Sequence, residues 1–278
     1  MATIQELKGK TAVVTGAASG IGKALAAKAC AEGMNVVLAD VEEDALAKAR
    51  DELGRGARNV ISVVADVSQA RAVDELARKA LDAFGSVDLL FNNAGVGAGS
   101  TIWESTLEDW TWVLGVNLWG VIHGIRTFVP IMLKQNRPAH IVNTASIAGL
   151  MKGHHSAPYI TTKHAVVALT EQLAVEFERI NAPIKASALC PSWVNTRINE
   201  SGRNRPASLL NTTESKPTPE MLKWWEQMQE FMQTTTPPDV IADAVFEEGI
   251  RKGKLYIIPH KETVEYIKNR FDGIMKDI

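Results

Sequence analysis

Cysteine is nearly absent from this 278-residue chain, with Cys30 and Cys190 the only two. Two thiols cannot build a disulfide framework, and they suit a reducing compartment. Charge of one sign is missing as well. Thirty Lys and Arg stand against thirty-two Asp and Glu, a formal net charge of −2, so nothing pulls the whole chain towards nucleic acid or an anionic membrane. The stretch from Met1 to Lys10 is polar and lacks the apolar core of a signal peptide. No uninterrupted apolar run approaches a membrane span, and no repeat, low-complexity tract or linker breaks the chain. These absences argue against the secreted, disordered and membrane classes and leave a cytoplasmic globular protein as the expectation.

Apolar residues are plentiful: hydrophobic side chains make up 46% and charged ones 22%, enough to bury a sizeable core. Their pattern alternates between two periods. Short runs at Thr11–Thr15, Val36–Ala39, Val60–Ala65, Val87–Phe91, His140–Thr144, Ile184–Leu189 and Leu255–Ile258 read as strands covered on both faces. Between them, Ile21–Glu32, Val41–Leu53, a stretch ending at Phe84, Leu107–Lys134 and Tyr159–Arg179 read as helices. Such alternation predicts an α/β fold with a parallel sheet and right-handed crossovers, doubly wound in the Rossmann manner. Ser192–Pro238 breaks the rhythm before the last helix and strand. A long excursion inside a compact domain reads as a substrate lid, so the expectation is one domain over 1–278 with a lid at about 192–238.

The first strand runs into Thr15-Gly16-Ala17-Ala18-Ser19-Gly20-Ile21-Gly22. Glycines there let the backbone turn tightly and approach a pyrophosphate, which helix N-terminal amides can meet. The spacing differs from G-x-G-x-x-G, and three glycines would equally serve a packing turn. Placement in the first strand–helix turn favours dinucleotide binding. Asp40 ends the second strand. A carboxylate there can accept from an adenosine ribose and repel a 2′-phosphate, so NAD is expected over NADP. With Glu43 three residues on, Asp40 also reads as a helix capping box. Asp66, after the third strand and beside Val67, could bind an adenine amino group or cap a helix.

Tyr159 and Lys163 are four apart at the start of a helix and so share a face. A phenol is a poor base at neutral pH unless a cation favours its phenolate, and Lys163 could supply that charge. Ser146 follows the fifth strand, where a parallel sheet opens onto its ligand crevice. Its hydroxyl could hold a substrate oxygen near the phenol. Alone, Tyr-x-x-x-Lys would read as an ordinary surface pair. Here it occurs in order with Thr15–Gly22, Asn92-Asn93-Ala94-Gly95, Asn117, Ser146 and Pro191-Ser-Trp-Val-Asn-Thr196.

This set, from Lys10 to about Pro259, resembles the short-chain dehydrogenase/reductase family. The resemblance implies that Tyr159 exchanges a proton with an alcohol or ketone. It also implies that Lys163 lowers the phenol pKa and holds the nicotinamide ribose, while Ser146 orients the substrate oxygen. Asn117 would hold a helix kink and a relay water. Asn92 to Gly95 would support the sheet beside the cofactor, with Asn92 nearest the adenosine ribose. Gly16, Ser19, Gly20, Ile21, Gly22, Asp40, Asp66, Val67, Asn92, Ala94, Gly95, Tyr159, Lys163, Pro191, Val194 and Thr196 would form the cofactor site, the last two at the carboxamide. The family also implies a homotetramer, or a homodimer, built on the helices from Leu107 and Tyr159. Two positions depart from its pattern: Ser192 stands where glycine is usual after Pro191, and Thr162 where serine is common.

The substrate is less legible. His154, His155 and Trp193 are candidates for the pocket wall, although the histidines equally fit a solvated loop, and no third ligand at metal spacing supports a zinc site. Trp103, Trp110, Trp112 and Trp119 fit core or subunit-interface packing on the long helix. Arg197–Pro206 resembles a segment of bacterial Cα-dehydrogenases, which oxidise benzylic alcohols. That likeness implies a small-molecule alcohol or ketone with a bulky aromatic or other apolar group; the arginines could instead be solvated or meet a carboxylate. Thr218-Pro219-Glu220 has the order of an N-cap, a first-turn proline and an acid at the positive helix end. Met221, Trp225, Met228 and Met232 then form one helical stripe, widened by Trp224 and Phe231. The stripe could close over substrate or pack against the body. A dinucleotide-binding regulatory protein without turnover is the alternative to an enzyme, but the acid/base set argues against it.

Overall fold

The computed structural model describes residues 3–54, 59–153, 156–211 and 219–278, in the last stretch without the side chains of residues 219–221, 224 and 225. Seven parallel strands form one sheet in the order β3-β2-β1-β4-β5-β6-β7. They are β1 Thr11–Thr15, β2 Asn35–Asp40, β3 Val60–Val64, β4 Leu89–Asn92, β5 Ala139–Thr144, β6 Ile184–Leu189 and β7 Tyr256–Ile257. Strands β1, β4 and β5 are buried along their whole length, which is why their central residues are apolar on both faces rather than alternating.

Helices cover both faces. On one, Leu25 and Ala29 of α1 (Gly20–Ala31) and Leu46 of α2 (Glu43–Leu53) pack with Phe246 and Ile250, which follow α8 (Pro238–Ala244). The Phe91 and Phe246 rings stack at 5.9 Å between centroids. On the other face are Leu76 of α3 (Ala70–Phe84), Phe128 and Met132 of α5 (Gly120–Gln135), and Leu173 and Phe177 of α6 (Ala157–Arg179). The strand order reverses between β1 and β4, and the crevice beyond those strand ends is where such sheets bind ligands.

Several boundaries differ from the sequence reading. The expected helix Leu107–Lys134 is α4 (Leu107–Leu114), a π-helical segment Gly115–Trp119, and α5. By length and composition Leu107–Gln135 could cross a membrane, but α5 is a layer of the fold, packed on α3 and β4. Asp40 and Glu43 form no capping box: the helix N-cap is Glu42, and no side chain caps it. Within the excursion, α7 spans Pro219–Gln233 as its pattern requires, while its expected N-cap Thr218 lies outside the described residues. Two short 3₁₀ segments, Ile198–Asn204 and Ala207–Leu209, precede it. A last helix α9, Val264–Lys276, follows β7 and was not legible in the sequence; its described residues are all at least partly exposed.

A buried histidine makes the sheet acid-sensitive. His140 on β5 lies 2.8 Å from Ser187 Oγ on β6, and that hydroxyl donates to the Lys254 carbonyl. The serine proton being spent, imidazole Nε2–H must donate. Burial, helped by the charge of Lys185, pulls the ring pKa down to about 3. The unfolded chain therefore binds the extra proton first, and stability falls as pH drops from about 6.5 towards that value. We expect His140→Asn to remove roughly 2 kcal/mol of the stability lost between about pH 7 and about pH 5, read as a flatter profile of melting temperature against pH.

Candidate active site

The phosphate loop is shaped by contact with the next strand of the crevice. Thr15 Oγ1 accepts from the amides of Asn93 (2.9 Å) and Ala94 (3.1 Å) and donates to the Phe91 carbonyl. Asn93 Nδ2 donates to the Thr15 carbonyl. Gly16 has φ +66°, and a Cβ there would come within 2.9 Å of Ala94 Cα. A Cβ on Gly22 would come within 2.0 Å of the Gly16 carbonyl oxygen, so the loop and the α1 N-terminus can close on each other only at glycine. Asp40 braces the same loop: one carboxylate oxygen accepts from the Ala18 amide at 2.9 Å, the other from the Glu42 amide. Asp66 accepts from the Ser68 amide. Gly16, Ser19, Gly20, Ile21, Asp40, Asp66 and Val67 all line a single cleft of about 1960 Å³. Its glycine turn, helix N-terminus and acidic far end fit a dinucleotide.

Asn92 is placed differently from expectation. Its amide donates to Asn143 Oδ1 at 2.9 Å, and a Cβ on Gly124 of α5 would come within 2.1 Å of its side-chain oxygen. Its side chain faces the α5 packing, and Asn93 lines the cleft instead. The two adjacent asparagines point to opposite sides of one strand end, which residue type alone does not order.

Ser146, Tyr159 and Lys163, the residues expected to transfer the proton, line the same cleft. Lys163, only 4% exposed, donates from Nζ to the Thr144 carbonyl at 2.8 Å, with Nζ 5.3 Å from the Tyr159 ring centroid. A Cβ on Gly95 would lie 3.6 Å from that ammonium. Ser146 caps a 3₁₀ turn, accepting from the Ala148 amide, and its hydroxyl reaches the Pro191 carbonyl at 3.4 Å. Asn117 sits in the π segment, its carboxamide paired with both backbone groups of Val96 (2.8 and 2.9 Å) and donating to Thr162 Oγ1. Asn117 thus clamps the helix break onto the loop after β4. Thr162 supplies an acceptor there, which accounts for its tolerance in place of serine.

Contrary to the expected lowering by Lys163, burial pushes the Tyr159 phenol above its ordinary pKa, against a downward pull from the Ser146 hydrogen bond. Burial also pulls the Lys163 ammonium down to about 8. The Cys190 thiol is itself raised to about 12 by burial, so it stays protonated and unreactive.

The cleft is also lined by Gly97, Ala98, Met151, Ile160, Leu209, Met228 and Tyr266. Pro191, Val194 and Thr196 line it beside Trp193, which is 49% exposed and meets Phe231 of α7 edge-on at 5.6 Å. Met228 and Met232 turn towards the cleft; His154 and the Trp225 side chain lie outside the described residues. Trp110, Trp112 and Trp119 also line the cleft, so they are not simply core or interface, although Trp112 packs in a buried cluster with Val96 and Val113. Trp103 precedes the helix and is exposed. Leu209 and Tyr266 carry no sequence signal, because only the folded excursion and α9 bring them to the site.

The excursion's arginines meet the protein's own carboxylates. Arg197 pairs with Glu200, and Arg203 with Glu42, which also accepts from Asn204. Arg205 is buried against Asp109 at 2.7 Å, donates to Asn211 and the Leu209 carbonyl, and lies over the Trp112 ring. Burial alone would raise the Asp109 pKa, yet the Thr106 amide, Arg205 and Asn211 together hold it low. This network pins 205–211 to the start of α4 and seats Leu209 beside Trp112 and Tyr159.

Comparison with known proteins agrees with this geometry. Residues 10–207 match the family described as short chain dehydrogenase. A crystal structure of a short chain dehydrogenase/reductase from Burkholderia phymatum in complex with NAD is 45% identical, with a TM-score of 0.92, covering 99% of this chain and 97% of that one. The 1-deoxy-11-beta-hydroxypentalenate dehydrogenase of Streptomyces avermitilis is 41% identical over 98% of this chain and 92% of its own length. The C alpha-dehydrogenase of a Sphingobium species is 32% identical over 99% of this chain and 88% of its own.

Removing Arg205 would leave Asp109 charged and buried without its partner. We expect Arg205→Ala to lower unfolding free energy by about 3 kcal/mol in denaturant titration. A loss no larger than that of an exposed pair would mean the network is dispensable.

Proposed function

This chain belongs to the short chain dehydrogenase family, and from that premise we propose that it interconverts a secondary alcohol and a ketone with NAD as the hydride carrier. The observation that carries the reading is the convergence of Ser146, Tyr159 and Lys163 at the floor of the cleft that begins at the glycine loop. When bound, the nicotinamide supplies the hydride acceptor or donor. Tyr159 gives its phenolic proton to the ketone oxygen, or takes one from the alcohol. Ser146 Oγ holds that oxygen, and Lys163 offers a positive charge to the phenolate and its remaining protons to the nicotinamide ribose. Asn117 acts through Val96, keeping the loop beside Lys163 in place.

The substrate we infer is a small molecule with a bulky apolar group, aromatic or alicyclic. Met151, Ile160, Leu209 and Met228 support this, as do the pentalenate and Cα-dehydrogenase relatives. The pinned segment 198–211 serves as a fixed wall and α7, with Met228 and Met232, as the adaptable one. Asp40 favours NAD over NADP. Exposed Leu107 and Trp119 suit the homotetramer the family implies, on α4, α5 and α6, and free Cys30 and Cys190 suit the cytoplasm.

Two measurements test the reading. Tyr159→Phe should cut turnover of an aryl ketone panel at least about a hundredfold while leaving NADH affinity within about twofold. Because burial raises the phenol pKa, Tyr159 is in its acid form at neutral pH. The wild-type protein should therefore gain oxidation rate and lose reduction rate as pH climbs, and retained turnover in the variant refutes the mechanism. Asp40→Ala should lower the NAD-over-NADP ratio of kcat/KM by roughly tenfold or more. An unchanged ratio with reduced stability would leave Asp40 only the brace of the Ala18 amide.

A further inference from the structure

His260 stands outside every motif in the sequence, yet it meets the cofactor loop directly. It follows β7, is 7% exposed, and accepts at Nδ1 from the Ser192 amide at 3.0 Å. Its Nε2 lies 2.9 Å from Thr236 Oγ1. A backbone N–H can only donate, so Nδ1 is unprotonated and Nε2–H donates to the threonine. Thr236 is itself tied to the loop: its carbonyl accepts from the Asn195 amide, and it bridges Val194 in parallel. It lies between α7, which ends at Gln233, and α8, which begins at Pro238.

The Ser192 amide and the Pro191 carbonyl are two ends of one peptide plane. The carbonyl end accepts from the Ile147 amide at 2.9 Å and is the group that the Ser146 hydroxyl reaches. The imidazole holds the other end. Rotating this plane would move the acceptor used by Ser146 and the backbone that leads into Val194 and Thr196. A glycine after Pro191 would leave such rotation freest; Ser192 restricts it and His260 fixes its sense.

We propose that His260 is a positioning residue for the reaction, orienting the Pro191–Ser192 peptide and, through it, both the Ser146 hydroxyl and the nicotinamide-side loop. The Thr236 contact selects the tautomer that makes Nδ1 an acceptor and joins this loop to the base of α7. The kinetic part of the proposal rests on the alcohol–ketone reading; the binding part does not.

The test compares three substitutions by NADH fluorescence titration, thermal unfolding and aryl ketone reduction. Asn places its Oδ1 where the imidazole carries Nδ1 and keeps an acceptor for Ser192, whereas Gln reaches only the Nε2 position and Ala keeps neither. His260→Ala and His260→Gln should weaken NADH binding and lower kcat, each by up to roughly tenfold, the worth of one hydrogen bond. His260→Asn should restore most of both. Equal losses in all three, losses that follow melting temperature alone, or unchanged NADH affinity in the Ala and Gln variants would overturn the proposal. If the Ala variant fails to fold, the Asn–Gln contrast decides. If the wild-type protein reduces no ketone, the functional reading fails, while the NADH titration still decides the role of His260.

Discussion

The hydroxyl of Thr15 joins the two halves of the site. It accepts from two consecutive amides after β4 and donates to the Phe91 carbonyl, closing the gap where the strand order reverses. With Gly16 against Ala94 and Gly22 against Gly16, this contact puts the phosphate loop and the Asn93–Val96 loop at one depth. Val96 then receives the Asn117 carboxamide from the π segment, and Lys163 lies over Gly95. A chain of short polar contacts thus runs from the nucleotide end of the cleft to the proton-transfer end, and a shift at any link would displace the next.

The electrostatics follow from burial. A phenol and an ammonium share a dry floor, and desolvation moves each towards its neutral form. The phenol is thereby kept as an acid and the lysine can titrate near about 8. No described group of three or more His, Cys, Asp or Glu is arranged to hold a metal. The residues present at the floor are suited to moving a proton, and their hydrogen-bond partners are mostly backbone carbonyls and amides, which cannot titrate.

The excursion meets the cleft in two ways. Its first part is held by arginines that neutralise Glu42, Glu200 and Asp109, so the charged residues most suggestive of an anionic ligand are already matched within the protein. Its second part, α7, meets the site through Met228, Met232 and Phe231, whose contacts are non-directional and can accommodate different shapes.

The strand–helix alternation, the glycine turn, and the Tyr159–Lys163 spacing were legible because each depends on local geometry: short apolar runs buried on both faces between helical stretches, positive φ, and one helical turn between side chains. The helix α7 was legible for the same reason. By itself the sequence therefore determined the layer architecture, the glycine turn after β1 and the sharing of one helix face by Tyr159 and Lys163. Tertiary structure decided which way each polar side chain faces. It turned Asn92 into the α5 packing and Asn93 into the cleft, made Asp40 a brace instead of a helix cap, and turned the excursion's arginines inward. It also brought Leu209, Tyr266 and His260 to a site they adjoin only after folding. The physical reason is that hydrogen-bond partners distant in sequence compete for the same donors and acceptors, and only the packed chain settles which pairs form.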